Sequence, residues 1–325
     1  MKYFYLSIVS VLFFAGNVLA EKSVKIAFLA PDGLTPQNSA VYNGMRDAFS
    51  EFKMRYNCGF SLEYFSAGNS QTEQVSQLGG AYIDGFAGAV VFPVSGGGAL
   101  GGKISDLAGK NFPVALAGRD VPDSKRLCFV GTDSAAAAKR IAELLKKHSP
   151  RGKIPLYCYF KTTEPTDDLS VSDTVKITPF LGLSMSAEQF RSLVAPYRCV
   201  LVGAEYYSVY AQRNAVEIMR RDDYGELFFN PYLFADMMPI KRDSDRRFAI
   251  CIGAIPQLEQ RLADGFLTAC VYGDYYGWGY FAARALSEKI MDKTEPSQPV
   301  RLLEPLTATS ANPSAFSADW RKWMK

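Results

Sequence analysis

Asp167, Asp168 and Asp173 lie together in the stretch TTEPTDDLSVSD. Two carboxylates flanking a glycosidic bond can hydrolyse it, one protonating the leaving group while the other acts as base or nucleophile. A stretch this rich in Thr, Ser and Asp also reads as an exposed connection. The stretch GGALGGK, 97–103, has the G-x-x-x-x-G-K spacing of a phosphate cradle. Ile104 stands where a Ser or Thr must reach a magnesium ion, so the match is read as coincidence. Its glycines still let backbone amides come close to whatever faces the loop. His148, in KKHSPRG, is the only histidine and follows a helical pattern, where it suits the negative end of a helix. No Ser–His or Cys–His pair and no His/Cys metal spacing can be assembled. The residues therefore point away from catalysis, and no metal or cofactor is expected.

The first twenty residues set the compartment. Lys2 precedes an apolar run from Tyr3 to Phe14, and Val18-Leu19-Ala20 offers small residues at the –3 and –1 positions of a cleavage site. This is the pattern of a secretory signal peptide cut after Ala20. An uncleaved anchor is the alternative, but the run is short for a span of about 20 residues. No Cys follows the site, and no second long apolar run appears. A periplasmic location is expected. Removing Lys2 leaves 35 basic and 33 acidic residues, a net charge of +2, which gives no signature of nucleic-acid binding. The basic run KRDSDRR, 241–247, is broken by two aspartates and reads as a solvated loop. The six cysteines, at 58, 128, 158, 199, 251 and 270, form no small-disulfide framework. Most sit singly in apolar stretches and read as buried thiols; export keeps one bridge possible.

The elements that must position these groups alternate. Apolar runs at 24–30, 60–66, 88–94, 112–118, 127–131, 154–160, 175–181, 199–204, 227–232, 248–253 and 267–273 read as strands. Most are continuously apolar, as strands covered on both faces should be. Helical faces lie between them, in 41–56 through Val41, Met45, Ala48, Phe49 and Phe52, and in 135–147 through Ala138, Ile141, Leu144 and Leu145. Pro256 opens a short helix that Gly265 ends. Eleven runs exceed one doubly wound sheet, so two α/β lobes are expected, dividing near GTDS at 131–134. The loops at the carboxyl ends of the strands then line the crevice.

This order resembles the type I periplasmic sugar-binding proteins, the ribose-binding-like family that also supplies the core of lac-type repressors. The resemblance is carried by KIAFLAPDGLTPQNSAVYNGMRDAF, RDVPDSKRLCFVGTDSAAAAKRIAELL and IGAIPQLEQRLADGFLTACVYGDYYGWGYFAARAL, in that order. It covers nearly the whole mature chain. It implies two doubly wound parallel-sheet lobes joined by three hinge crossings, with Gly131-Thr132-Asp133 at one crossing and Gly273-Asp274 at another. The first lobe would comprise 21–133 plus 274–305, and the second 134–273 plus 306–325. The family captures sugars and presents them to an ABC permease in the inner membrane, with the binding protein expected as a monomer. A repressor is excluded, because a signal peptide occupies the place of the DNA-binding helices.

The candidate ligand contacts are Asp32, Gln37, Phe92, Arg119, Asp120, Phe180, Glu205, Tyr207, Asp274 and Tyr275. Arg119 can fork two hydrogen bonds to a hydroxyl pair or carboxylate, or pair with Asp120. The chain departs from the family's sugar contacts at Gly118, Ala204-Glu205, Gly253 and Gly273, where polar side chains are usual. These glycines are expected to enlarge the cleft and to favour a larger or aromatic-bearing solute, or to mark a paralogue that has lost binding. In ACVYGDYYGWGY, 269–280, Trp278, Phe281, Ala282, Ala285 and Leu286 are expected to pack on a sheet. Tyr275 is expected to offer a stacking ring to the cleft, and Asp274 to cap the helix. The rival functions are a periplasmic sensor subunit and a secreted glycoside hydrolase using Asp167 and Asp168.

Overall fold

The computed structural model describes residues 23–149, 154–161, 186–204, 223–236 and 247–325. Two six-stranded sheets form its frame. The first contains β1 (Ser23–Ala30), β2 (Gly59–Ser66), β3 (Gly88–Val91), β4 (Val114–Ala117), β5 (Cys128–Thr132) and β11 (Val300–Leu303). They run in the order β11-β5-β4-β3-β1-β2, and every pair is parallel. The second contains β6 (Pro155–Lys161), β7 (Arg198–Ala204), β8 (Tyr224–Phe228), β9 (Arg247–Ile252), β10 (Ala269–Tyr272) and β12 (Leu306–Thr309). Its order is β12-β10-β9-β8-β6-β7, parallel except for β12 against β10.

Among the described residues the chain passes between the sheets three times. β5 leads into α4 (Ser134–His148), which packs on the second sheet, and β10 leads into α8 (Tyr275–Asp292), which packs on the first. β11 in the first sheet is followed directly by β12 in the second. The passages lie side by side, since the Asp133 amide donates to the Leu303 carbonyl at 2.9 Å. Asp133 also caps α4 by accepting from the Ala135 and Ala136 amides.

Helices cover both faces of each sheet, which is why the central strands β3, β4 and β10 are fully buried. On the first sheet, α2 (Gln71–Ile83) and α3 (Ala99–Ala108) bury Leu78, Leu100 and Ile104 against one face. α1 (Pro36–Tyr56) and α8 take the other. On the second sheet, α4 and α5 (Ala187–Val194) cover Leu156, Phe160 and Ile250. Its opposite face meets α6 (Pro231–Ala235), α7 (Leu258–Ala263) and the terminal helix α9 (Pro313–Trp323). A single core, running from Phe28 and Trp278 to Tyr159, Phe228 and Trp323, is continuous from one sheet to the other.

The strand reading is corrected at two points, and the coincidental phosphate-cradle match finds its place. The run 227–232 is only partly strand: β8 ends at Phe228, and Asn230 caps α6 through Tyr232 and Leu233, with Pro231 at its first turn. The phosphate-cradle match is the start of a helix. Gly98 precedes α3, Gly101 lies within it, and Ile104 is fully buried. β11 and β12, too short to give a period-two signal, escaped the sequence reading. The run 175–181 lies outside the described residues, as does nearly all of 241–247.

α1 and α8 approach through glycine. A Cβ on Gly279 would sit 1.9 Å from the Val41 carbonyl oxygen, and one on Gly44 2.1 Å from that of Tyr276. Backbone cannot step aside as a side chain can, so the helices would have to separate. Gly279→Ala should lower unfolding free energy by about 1–3 kcal/mol in urea titrations, the cost of overpacking a filled site. Gly102→Ala, on an open face of α3 with nothing within 4 Å, should be neutral or stabilising.

Candidate ligand cleft between the lobes

The segments that follow β1 in the first sheet and β8 and β9 in the second meet through hydrogen bonds. On the first-sheet side the loop after β1 is built by its own polar residues. Thr35 caps α1 by accepting from the Asn38 amide at 3.3 Å, and Pro36 opens the helix. Asn38 donates from its side chain to the Asp32 and Gly33 carbonyls, and the Tyr64 hydroxyl donates to both as well. Burial pushes the Tyr64 phenol up to about 12. Asp32 itself is exposed and accepts from the Gly33 amide and from Asn69. Its role is to shape this turn.

Gln37 reaches across. It is 5% exposed, and its amide donates to the Ala254 carbonyl at 2.8 Å and accepts from the Tyr232 hydroxyl at 2.9 Å. Ala254 follows β9 and Tyr232 follows β8, so one side chain of the first lobe is held by two rims of the second. The Ala254 amide in turn donates to the Tyr275 hydroxyl at 3.1 Å.

Arg119 stands at the end of β4, 8% exposed, and donates to the Val94 carbonyl after β3. Burial lowers its guanidinium to about 10, so it stays charged at neutral pH. Asp120 does not pair with it. Arg126 holds that carboxylate instead, with Nη2 2.9 Å from Oδ2 and Nε 2.6 Å from Oδ1. Burial raises the Asp120 carboxyl and Arg126 opposes the rise.

The glycines at the crossings do not open space. Gly118 has φ +77°, and a Cβ there would meet the Phe92 ring at 2.8 Å and the Trp278 ring at 3.0 Å. A Cβ on Gly273 would lie 2.3 Å from Trp278 Cζ2 and 2.6 Å from Thr132 Oγ1. The Trp278 indole, fully buried, thus abuts both positions where the resemblance leads one to expect polar side chains. The expectation of an enlarged cleft is corrected on this point. Thr132 Oγ1 and Trp278 Nε1 are buried here without a hydrogen-bond partner among the described residues.

Phe92 and Tyr275 are likewise committed to packing. Phe92 meets Trp278 edge-on at 5.9 Å. Tyr275 is 1% exposed, with Trp278 at 4.9 Å and Trp323 at 5.7 Å, both edge-on. Burial raises its phenol strongly. The stacking ring expected of Tyr275 is enclosed, because α9 covers it, and no sequence pattern foretold where that helix docks. Asp274 caps α8 through the Gly277 amide at 2.8 Å, as expected of it. Phe180, Glu205 and Tyr207, and also Asp167, Asp168 and Asp173, lie outside the described residues. Gln37 and Tyr275 are joined at the junction through Ala254, and Asp274 caps the helix that Tyr275 begins, whereas Arg119 is held beside Val94 and Asp32 and Asp120 are held in their own turns. Tyr232 and Ala254, which meet Gln37 across the junction, were not singled out from the sequence. Asn230-Pro231, a helix-start signal after a strand, was the available clue to Tyr232.

Residues 26–170 match the family described as periplasmic binding protein domain. This is a type I periplasmic binding protein fold. The myo-inositol binding protein of Caulobacter, with bound myo-inositol, superposes with a TM-score of 0.68 at 18% identity, over 90% of this chain and 95% of that one. A solute-binding protein of an ABC transporter from Burkholderia graminis, in complex with D-arabinose, gives 0.69 at 13% identity, over 89% and 96%. A chain of the XylFII–LytSN complex gives 0.66 at 15% identity, over 89% and 99%. No curated protein matches the sequence. Among the described residues, no group of three or more His, Cys, Asp or Glu is placed to hold a metal ion.

Two measurements probe the junction. Gln37→Leu removes its bonds to the Ala254 carbonyl and the half-buried Tyr232 hydroxyl, at about 1–3 kcal/mol for the buried carbonyl. Small-angle scattering should then show a larger radius of gyration than for the parent chain. Burial raises the Asp274 carboxyl, so the folded state holds its proton more tightly than the unfolded chain does. Its stabilising contribution is full below the unfolded value and is lost as pH rises through the folded one. Asp274→Asn keeps the cap and should therefore match or exceed the parent in melting temperature at neutral pH, with the gap closing in acid. Asp274→Ala should lose about 1 kcal/mol at every pH.

Proposed function

We propose that the chain is an exported solute-binding protein that captures a carbohydrate-like small molecule between its lobes and presents it to an ABC importer. The observation carrying this reading is the meeting of the two carboxyl rims, where Gln37 of one lobe is gripped by Tyr232 and Ala254 of the other. A site made only when both lobes contribute couples occupancy to closure, which a membrane partner can sense. Arg119 supplies a buried guanidinium at the end of β4, and Thr132 and Trp278, which flank Gly273, each bury a polar atom that a hydroxylated solute would satisfy. The bound myo-inositol and D-arabinose of similar folds support that ligand class. Export rests on the signal-peptide pattern of residues 1–20.

A second reading, a binding-impaired or sensing relative, is favoured by Trp278 filling the space at Gly118 and Gly273. The XylFII–LytSN complex is a precedent for this fold bound to another protein.

A thermal-shift screen of the mature chain against myo-inositol, D-arabinose, D-ribose, D-xylose, nucleosides and amino acids separates the two. A ligand at 100 times its dissociation constant should stabilise by about 2.7 kcal/mol. Arg119→Lys keeps the charge but loses the fork, and should weaken a sugar hit at least tenfold. Silence across every class favours the impaired reading. A hit unchanged by Arg119→Lys places the ligand elsewhere.

A further inference from the structure

All six cysteines are reduced in this structure, and two of them are neighbours. The sulfurs of Cys158 on β6 and Cys199 on β7 lie 3.6 Å apart. The register explains why. Cys199 stands opposite Leu156, and Cys158 is two residues further along the same strand, so both sulfurs point to the face of the second sheet covered by α4 and α5. Cys251 and Cys270 are also in register, on β9 and β10, but both are fully buried in the centre of the sheet.

We propose that Cys158 and Cys199 are a dithiol site that a disulfide oxidant converts to an intramolecular disulfide, stapling the edge strand β7 to its neighbour. A bond needs the sulfurs to close from 3.6 Å to about 2.05 Å. β7 can supply that movement, because among the described residues it is the outermost strand of its sheet and is paired on one side only. Cys199 is partly exposed while Cys158 is wholly buried, which sets the order of attack. The Cys158 hydrogen bond holds the Cys199 thiol below its usual value, and burial pushes Cys158 up. Cys199 as thiolate attacks one sulfur of the oxidant and expels the other as a thiolate. Cys158 then attacks Cys199 Sγ and expels the second. The oxidant's S–S bond breaks, one forms between Cys158 and Cys199, and two protons pass from the protein to the released thiols. Oxidants of this class belong to extracytoplasmic compartments. Only that supply rests on the export proposed above.

The test is independent of any ligand. The reduced full chain is incubated with oxidised glutathione, trapped with an alkylating agent and digested without reduction. A linked peptide pair carrying Cys158 and Cys199 is expected, with an intact mass lower by two hydrogens. The oxidised protein should melt roughly 5 °C or more above the reduced form, as a bridge closing a loop of this length would bring. Cys199→Ser should abolish both effects. Full alkylation of both thiols after oxidation, a glutathione adduct that persists on Cys199, or a bridge joining Cys251 and Cys270 instead would overturn the proposal. Peptide mapping of the unaltered chain decides the matter even if a variant does not fold.

Discussion

Trp278 sits where the chain passes between its lobes, and the glycines at 118 and 273 leave it room. Its indole touches the ends of β4 and β10 at once, and Phe92 and Tyr275 meet it edge-on. Aromatic rings bury large areas in fixed geometry, and edge-to-face pairs add about 0.5–1.5 kcal/mol beyond that burial. A side chain larger than hydrogen at either glycine would drive into this ring. The junction is therefore held by shape, and the polar groups that a sugar would meet must be supplied by the rims around it.

Those rims are tied by amide chemistry. Gln37 both donates and accepts, which lets it join a carbonyl and a hydroxyl of the opposite lobe. Ala254 extends the chain of contacts to Tyr275, so the first turn of α1, the loop after β9 and the start of α8 share one network. Inside a buried site such a network is strong when complete and costly when broken. Terminal helix α9 closes the far side: Asn43 of α1 donates to the Trp323 carbonyl at 2.8 Å, and Tyr272 donates to Asp319 at 2.9 Å. The tail thereby touches residues of both lobes.

Much of the fold was legible along the chain. The continuous apolar runs at 88–94, 112–118 and 248–253 mark β3, β4 and β9 because strands sandwiched between helices have no solvent face to encode. Asp274 was readable as a cap, since capping depends on a local spacing, whereas Asp133, placed only at a crossing, caps α4 by the same geometry. The site was less legible. Arg119 and Gln37 could be singled out by their place after a strand, but the partner of Asp120 proved to be Arg126, six residues on, through a turn that sequence spacing does not fix.

Local periodicity, capping residues and turn glycines determined the elements and their order, because each of these is settled by neighbours within a few positions. Tertiary structure alone decided that Gly118 and Gly273 receive one tryptophan, that Gln37 meets Tyr232 195 residues away, and that Cys158 finds Cys199 across a strand pair. Such contacts depend on how two sheets are laid side by side and in what register, and that is set by the packing of the whole core.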